Sequence, residues 1–213
     1  MREFVFIVVG ALIISVLVRT FLVQAFFVPS GSMEHTLLPS DRIVASKIST
    51  RVAGVHRGEI VVFADPGGWL SATPAPTGLG SALRHTFEFI GLLPGSTTGH
   101  LVKRVIGVAG DNVRCCDSAG RIVVNGLSLV EPYLNPGVRT DQIQFDVTVP
   151  PNSIFVLGDN RPESADSRYH LSVDSGTVPV ADVVGRVVAI IWPLGRMRVL
   201  SIPSQFAAIP APK

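Results

Sequence analysis

The hydrophobic pattern of the chain begins with one long apolar segment. Residues 4 to 28 are apolar apart from a few positions such as Ser15 and Arg19. As a helix, these residues would extend over about 37 Å, at roughly 1.5 Å per residue. A bilayer core is about 30 Å thick. The pattern therefore predicts an N-terminal transmembrane anchor over residues 1–28.

A cleaved secretory signal peptide is the alternative for this segment. Arg2 precedes the apolar run, and Val23-Gln24-Ala25 resembles a cleavage site. The run is longer than the 7–15 residues usual for such a peptide, which favours the anchor. Arg2 and Arg19 flank the segment almost symmetrically, so the positive-inside rule leaves its orientation open.

Beyond the anchor, apolar and polar residues alternate with period two in short runs bounded by Gly, Pro and Asp. This is typical of many short strands and predicts a mainly β catalytic domain over residues 29–200. The predicted strands are Arg42–Ile48, Glu59–Phe63, Leu101–Val108, Arg121–Asn125, Phe145–Val149, Ser153–Leu157, Val183–Trp192 and Met197–Leu200.

Three segments depart from this pattern. Residues 64–100 contain a Gly/Pro-rich stretch followed by helical spacing over Ser81–Leu93, which predicts a loop and a short helix. Residues from about 109 to 150 are predicted to form a smaller β subdomain. The tail, 201–213, is rich in Ala and Pro and is predicted to be disordered.

Composition narrows the possible functions. With 213 residues, the chain suits one ordinary domain. A net charge of +2 and the absence of a basic run give no electrostatic reason to expect nucleic acid as a partner. The five histidines show no metal-ligand spacing, so neither a metal nor a cofactor is expected. The adjacent Cys115 and Cys116 are interpreted as two thiols, with a vicinal disulfide as the alternative.

Candidate chemistry begins immediately after the anchor, in Pro29-Ser30-Gly31-Ser32-Met33. Such a segment is most often an ordinary turn. If Ser32 is a nucleophile, it requires a general base and donors for an oxyanion. His35, and His170 near Asp166, are possible bases by analogy with Ser-His-Asp enzymes.

Lys103 is the stronger candidate for the base. The chain has 15 arginines but only three lysines, and only lysine can readily lose its proton. The apolar run Leu101–Val108 could bury Lys103 and lower its pKa, although an ordinary strand lysine reaching water is the simpler interpretation of that residue alone. A third polar segment, Leu157–Tyr169, is dense in carboxylates and arginines, which suits either a structural loop or the support of a catalytic group.

Taken together, these segments resemble bacterial type I signal peptidases. The resemblance rests on P-S-G-S-M-E-H-T-L, K-R-V-I-G-V-A-G-D and G-D-N-R-P-E-S-A-D-S-R, in this order behind an apolar N-terminus. Val124-Asn125-Gly126 and Glu131-Pro132-Tyr133-Leu134 add to it. It extends, with gaps, to about Arg198 and leaves Ala64–His100 and the tail uncovered.

The resemblance implies a Ser–Lys dyad on a fold of antiparallel β-sheets with a small β insertion. Ser32 would be the nucleophile and Lys103 the general base, with Ser30 and the Ser32 N–H as the oxyanion hole and Ser164 orienting the Lys103 amine. Supporting polar residues would be Asp159, Arg104, Asp166 and Arg168. Shallow pockets for small side chains would be lined by Val28, Pro29, Leu37 and Val102.

The implied partners are signal peptides of exported precursors and the lipid bilayer, with no nucleic acid. The implied location is the plasma membrane, with a single span and the catalytic domain outside the cytoplasm. The sequence departs from the family at Pro162-Glu163, where Asp-Asn is frequent, and in the 64–100 insertion. A self-cleaving repressor-type protease and a catalytically inactive peptide-binding module are the alternatives.

Overall fold

The computed structural model describes residues 2–70 and 99–212 of the chain. It begins with one long helix, α1 (Arg2–Phe21), on which Phe4, Phe6 and Ile7 are among the exposed apolar side chains. Within the described residues, no helix meets the length and hydropathy needed for a membrane span. The predicted short helix over residues 81–93 lies outside the described residues.

The helix predicted to continue to Val28 instead ends at Phe21. Residues Val23–Phe27 form a strand, β1, which pairs antiparallel with the next strand, and Phe26 is fully buried. Strand pairing satisfies the backbone groups of β1, and burial of Phe26 adds apolar area removed from water. Tertiary packing therefore outweighs the helical propensity of this part of the apolar run.

The main sheet is antiparallel and carries the candidate site. Its strands lie in the order β1-β2-β11-β3-β4-β9-β10, and β12 pairs with β11. Their bounds are β2 Arg42–Ser46, β3 Ile60–Ala64, β4 His100–Val108, β9 Ser153–Leu157, β10 Val178–Pro179, β11 Val183–Trp192 and β12 Arg198–Val199.

A second antiparallel sheet has the order β7-β6-β5-β8. It comprises β5 Asn112–Cys115, β6 Ile122–Val124, β7 Leu127–Ser128 and β8 Phe145–Thr148. One buried apolar cluster joins the two sheets, because Ile106, Phe155 and Leu157 of the main sheet pack with Val113 and Ile122 of the second.

Short helical turns connect the strands. They are Gly31–Met33, Ser49–Ala53, Arg161–Glu163, Ser167–Tyr169, Asp174–Gly176, Val180–Asp182, Leu194–Arg196 and Ser204–Ala208. The mainly β, antiparallel fold class is confirmed, and every predicted strand segment is a strand whose ends agree within a few residues. The alternating pattern did not predict β1, β5, β7 or β10.

The prediction of a disordered tail is wrong for the described part of it. Residues Ser204–Ala208 form a helical turn, and Phe206 and Ile209 are buried in the cluster that joins the two sheets. Asn125 Nδ2 also donates to the Pro210 carbonyl, at 2.9 Å. The two apolar side chains provide the burial that the surrounding Ala and Pro residues cannot.

The interpretation of Cys115 and Cys116 as free thiols is also wrong in this structure. Their sulfur atoms form a disulfide, and the peptide bond between the two residues is cis. The Cα atoms of the two residues are 3.0 Å apart.

Candidate active site

Ser32 lies in the helical turn Gly31–Met33, shortly after β1. The peptide N–H of Glu34 donates to the Gly31 carbonyl at 2.9 Å, which closes this turn. Asn160 holds it from the opposite side: its backbone N–H donates to the Ser32 carbonyl at 3.1 Å and its Nδ2 to the Gly31 carbonyl at 3.0 Å. The Ser32 backbone is therefore fixed by the loop that follows β9.

Lys103 reaches Ser32 from β4. Its Nζ donates a hydrogen bond of 2.6 Å to Ser32 Oγ, and the residue is only 3% exposed. Burial lowers the pKa of Lys103 to about 8, although the carboxylates of Asp166 and Asp159 act in the opposite direction. The apolar strand thus supplies the desolvation that a lysine base requires.

The lowered pKa changes the population of the reactive form. At pH 7, a lysine with an ordinary pKa near 10.4 is neutral in fewer than about one molecule in a thousand, whereas a pKa of about 8 makes roughly one in ten neutral. The neutral amine can accept the Ser32 proton along the existing contact. The pair can therefore perform serine activation by a general base.

Ser30 is close enough to take part in the same chemistry. Its hydroxyl donates to Ser32 Oγ at 3.3 Å, and both residues line a cleft of about 450 Å³. Val28, Pro29 and Val102 also line this cleft. A hydroxyl next to the nucleophile is suitable as an oxyanion donor once a substrate carbonyl displaces its present contact.

An ion pair connects three chain segments behind the nucleophile. Arg104 Nε and Nη2 donate to Asp159 at 2.8 and 2.6 Å, and Thr36 Oγ1 donates to the same carboxylate. The Tyr133 ring lies over the Arg104 guanidinium, with its centroid 4.0 Å from Cζ. Since both charges are almost fully buried, the pair holds the position of β4 relative to the segment that follows Ser32.

A second ion pair shapes the loop after β9. Arg168 Nε donates to Asp166 Oδ1 at 2.8 Å and its Nη2 donates to Oδ2 at 2.9 Å, while the Gly158 N–H donates to Oδ2 at 3.0 Å. Arg168 also donates to the Arg161 carbonyl at 2.7 Å. These bonds position the loop residues that face Ser32 and Lys103.

Comparison with known proteins identifies the family of the chain. The family model described as "Signal peptidase, peptidase S26" matches residues 1–192. The chain belongs to this family. It is therefore a signal peptidase hydrolase, and the resemblance found in the sequence is confirmed.

Two relatives and one solved structure illustrate the similarity. "Signal peptidase I" of Mycobacterium tuberculosis is 37% identical over 94% of this chain and 75% of its own length. "Probable signal peptidase I-2" of Synechocystis is 35% identical over 94% of this chain and 78% of its own length. A crystal structure of a signal peptidase I from Enterococcus faecalis is 28% identical, covers 62% of this chain and 95% of its own, and has a TM-score of 0.39.

Not every residue of the predicted signal peptidase site lies where the resemblance implied. Leu37 is fully buried in the apolar core with Phe26 and Ile43, and it does not line the cleft. Ser164 is buried near Gly158, but its hydroxyl has no hydrogen-bond partner and so does not hydrogen-bond Lys103. The Lys103 amine bonds to Ser32 instead.

The histidine alternatives lack the required contacts. His35 Nδ1 lies 2.7 Å from the Tyr133 carbonyl, and the His170 ring stacks on Trp69. Neither imidazole hydrogen-bonds Ser32. Among the described residues, no group of three or more His, Cys, Asp or Glu residues could hold a metal ion.

Several supporting residues of the signal peptidase site were missed by sequence reasoning. Asn160 holds the nucleophile turn, and Thr36 bonds to Asp159. Glu131 pairs with the fully buried Arg161, whose Nε donates to the Gly158 carbonyl at 2.9 Å. Glu131 belongs to the segment Glu131-Pro132-Tyr133-Leu134, whose similarity to the family was the available signal.

Proposed function

We propose that this signal peptidase cleaves the N-terminal signal peptides of exported precursors with Ser32 as nucleophile and Lys103 as general base. The observation that carries the proposal is the 2.6 Å contact between Lys103 Nζ and Ser32 Oγ in a buried setting. The neutral amine removes the hydroxyl proton as Oγ attacks the peptide carbonyl. The resulting ammonium then protonates the leaving amine, and a water molecule hydrolyses the acyl-enzyme.

The developing oxyanion would be bound by the Ser30 hydroxyl and the Ser32 N–H. Ser30 supports this role by its 3.3 Å contact with the nucleophile. Ser164, buried beside Gly158 with an uncommitted hydroxyl, would accept a hydrogen bond from the Lys103 amine after that amine leaves Ser32. The ion pairs of Asp159 with Arg104 and of Asp166 with Arg168 would keep these groups in place.

The substrate would be an extended peptide with small side chains at the cut, as in Ala-x-Ala. Among the described strands, β4 pairs with β9 only from Arg104 onward, so the other side of residues 100–103 is left for a peptide backbone. A peptide there could add a strand to the sheet. Val28, Pro29 and Val102 give the adjoining wall an apolar surface.

The enzyme would act at a membrane surface to which α1 attaches it, with the catalytic domain outside the cytoplasm. Exposed apolar side chains along α1 support membrane insertion. Exported precursors carry an apolar segment of their own, so attachment of both partners to one membrane raises their effective concentration. Membrane fractionation of the full chain and of a variant lacking residues 2–21 tests this attachment: the full chain is expected in the membrane pellet and the variant in the supernatant.

The decisive experiment measures cleavage of a precursor whose signal peptide ends in Ala-x-Ala. Ser32→Ala and Lys103→Ala are expected to abolish cleavage, and Lys47→Ala, a matched change of a lysine that does not line the cleft, is expected to retain it. His35→Ala should retain it too. Full activity of Lys103→Ala would contradict the dyad, and failure of the wild-type chain to bind and cut precursors would favour a different role.

A further inference from the structure

A tryptophan outside the Ser–Lys machinery forms part of the cleft. Trp69 lies in a tight turn after β3, where the Asp65 carboxylate accepts hydrogen bonds from the N–H groups of Trp69 at 3.0 Å and Leu70 at 3.1 Å. The Asp65 N–H donates to the Gly99 carbonyl at 2.9 Å, which ties this turn to the beginning of β4. The backbone that carries Trp69 is therefore held next to the strand that carries Lys103.

The indole ring is also held by its neighbours. It stacks on the His170 ring, with centroids 4.4 Å apart and an interplanar angle of 7°. Phe63 contacts it edge to face at 5.8 Å. Trp69 is 9% exposed, and it lines the same cleft as Ser32 and Lys103. A ring fixed on two sides, with its remaining surface facing a cleft, is a preorganised binding surface.

The packing of Trp69 beside β4 indicates how far it lies from Lys103 along that strand. Trp69 packs in one buried cluster with Leu101, two strand residues before Lys103. Two residues of extended chain correspond to about 7 Å. A peptide lying along β4 with its scissile bond at Ser32 would thus bring a side chain to Trp69 a few residues away from that bond.

We propose that Trp69 and Leu70 form an apolar subsite that binds an apolar side chain of the precursor two to four residues from the cleaved bond. The inference rests on the proposed function and adds a determinant of substrate choice to it. Leu70, which is 37% exposed, extends the apolar surface of Trp69. An apolar side chain would gain burial there, whereas a carboxylate would lose hydration against the indole.

A peptide series tests the subsite. The kcat/KM values are compared for precursor peptides that carry Leu or Asp at one position. The position is varied in turn from two to four residues on either side of the cleaved bond. We expect the wild type to favour Leu over Asp by about 10–100-fold at one of these positions, the range typical of apolar pockets. Trp69→Ala should reduce this preference at least fivefold, mainly through KM, whereas Trp192→Ala, the control at the other tryptophan, should preserve it.

Fluorescence provides a second test that needs no change at Trp69. The chain has two tryptophans, so Trp192→Phe leaves Trp69 as the single reporter. In a Ser32→Ala background, titration with the Leu peptide should shift or quench the Trp69 emission with saturation. The Asp peptide should give a weaker response, and Trp69→Phe, which retains Trp192, should give none.

These outcomes separate the two proposals. If the wild type does not cut the precursor, the proposed function fails, and the emission titration still decides whether peptides bind at Trp69. If the wild type cuts the precursor but Trp69→Ala keeps the full Leu-over-Asp preference, the apolar subsite is refuted. It is refuted as well if the Trp69 emission does not respond to the peptide. In both cases the proposed cleavage by Ser32 and Lys103 is unaffected.

Discussion

Lys103 Nζ lies 2.6 Å from Ser32 Oγ although the two residues are 71 positions apart in the chain. The main sheet creates this contact, because β4 places Lys103 beneath the turn that carries Ser32. Burial then lowers the lysine pKa to about 8. The relationship leads directly to two predictions about pH.

The first prediction concerns the pH dependence of catalysis. The base must be neutral, so kcat/KM should rise about tenfold per pH unit below the pKa of Lys103 and level off above about pH 8. A pH–rate profile with a precursor peptide measures this. If the midpoint of this rise lay near pH 10.4, the ordinary pKa of lysine, the burial argument would be contradicted.

The second prediction concerns stability. The folded-state pKa of Lys103 is depressed, so the unfolded state binds more protons between about pH 8 and pH 10.4, and the contribution of Lys103 to stability rises with pH in that window. Lys103→Met should therefore be inactive yet more stable than wild type at pH 7, by up to about 3 kcal/mol. Urea unfolding at pH 7 and pH 9.5 measures this, and the advantage of the variant should shrink at the higher pH.

The third prediction concerns Gly158. A Cβ at this position would lie 2.5 Å from the Ser32 carbonyl oxygen and even closer to the Ser164 hydroxyl. Gly158→Ala must displace the nucleophile turn or Ser164, and a displacement of about 1 Å can reduce turnover by about 10²-fold. Gly195→Ala is the control, since a Cβ there meets no atom within 4 Å. Equal kcat values for both variants would show that the close approach is not required.

The fourth prediction concerns the buried pair of Asp159 and Arg104. Asp159→Asn leaves the guanidinium in a buried site without its counter-charge, which typically costs about 3–5 kcal/mol of unfolding free energy. The same substitution in the exposed Arg139–Asp141 pair, Asp141→Asn, should cost far less, because solvent screens that pair. Denaturant unfolding of both variants provides the comparison, and similar losses would argue against a special role for burial.

The fifth prediction concerns the C-terminal segment. Phe206 is 4% exposed in the cluster that joins the two sheets, so Phe206→Ala should lower the unfolding free energy by about 3–5 kcal/mol. Val199→Ala, at a side chain that is 82% exposed, should change it by less than about 0.5 kcal/mol. A thermal melt that is unaltered by Phe206→Ala would restore the view that this segment is disordered.

Sequence patterns predicted the strands best where more buried and more exposed side chains alternate along the strand, as in Arg42–Ser46 and Phe145–Thr148. They failed for β1, because its apolar residues continue an apolar run that suits a helix equally well. They also failed for the tail, in which Phe206 and Ile209 are isolated among Ala and Pro. A single buried aromatic residue produces no periodic signal, yet it can hold a segment in place.

In the candidate site, too, the sequence predicted some residues and missed others. Ser32 and Lys103 were identified from a rare lysine in an apolar strand and from motif resemblance. The hydrogen bonds of Asn160 to the nucleophile turn, and the burial of Leu37, depend on tertiary placement that local spacing does not encode. Ser164 is a further example, because motif similarity implied that its hydroxyl orients the Lys103 amine, and this hydroxyl forms no hydrogen bond in the structure.

The junction between α1 and β1 has a consequence for which precursors can be cut. Only Leu22 separates the end of the helix from a strand that is hydrogen-bonded into the main sheet. With so short a connection, the helix end and Ser32 are held at a nearly constant separation. If α1 is embedded in the bilayer as proposed, this short connection fixes the height of Ser32 above the lipid. A precursor would then be cut only where its cleavage site lies at a matching distance from its own apolar segment.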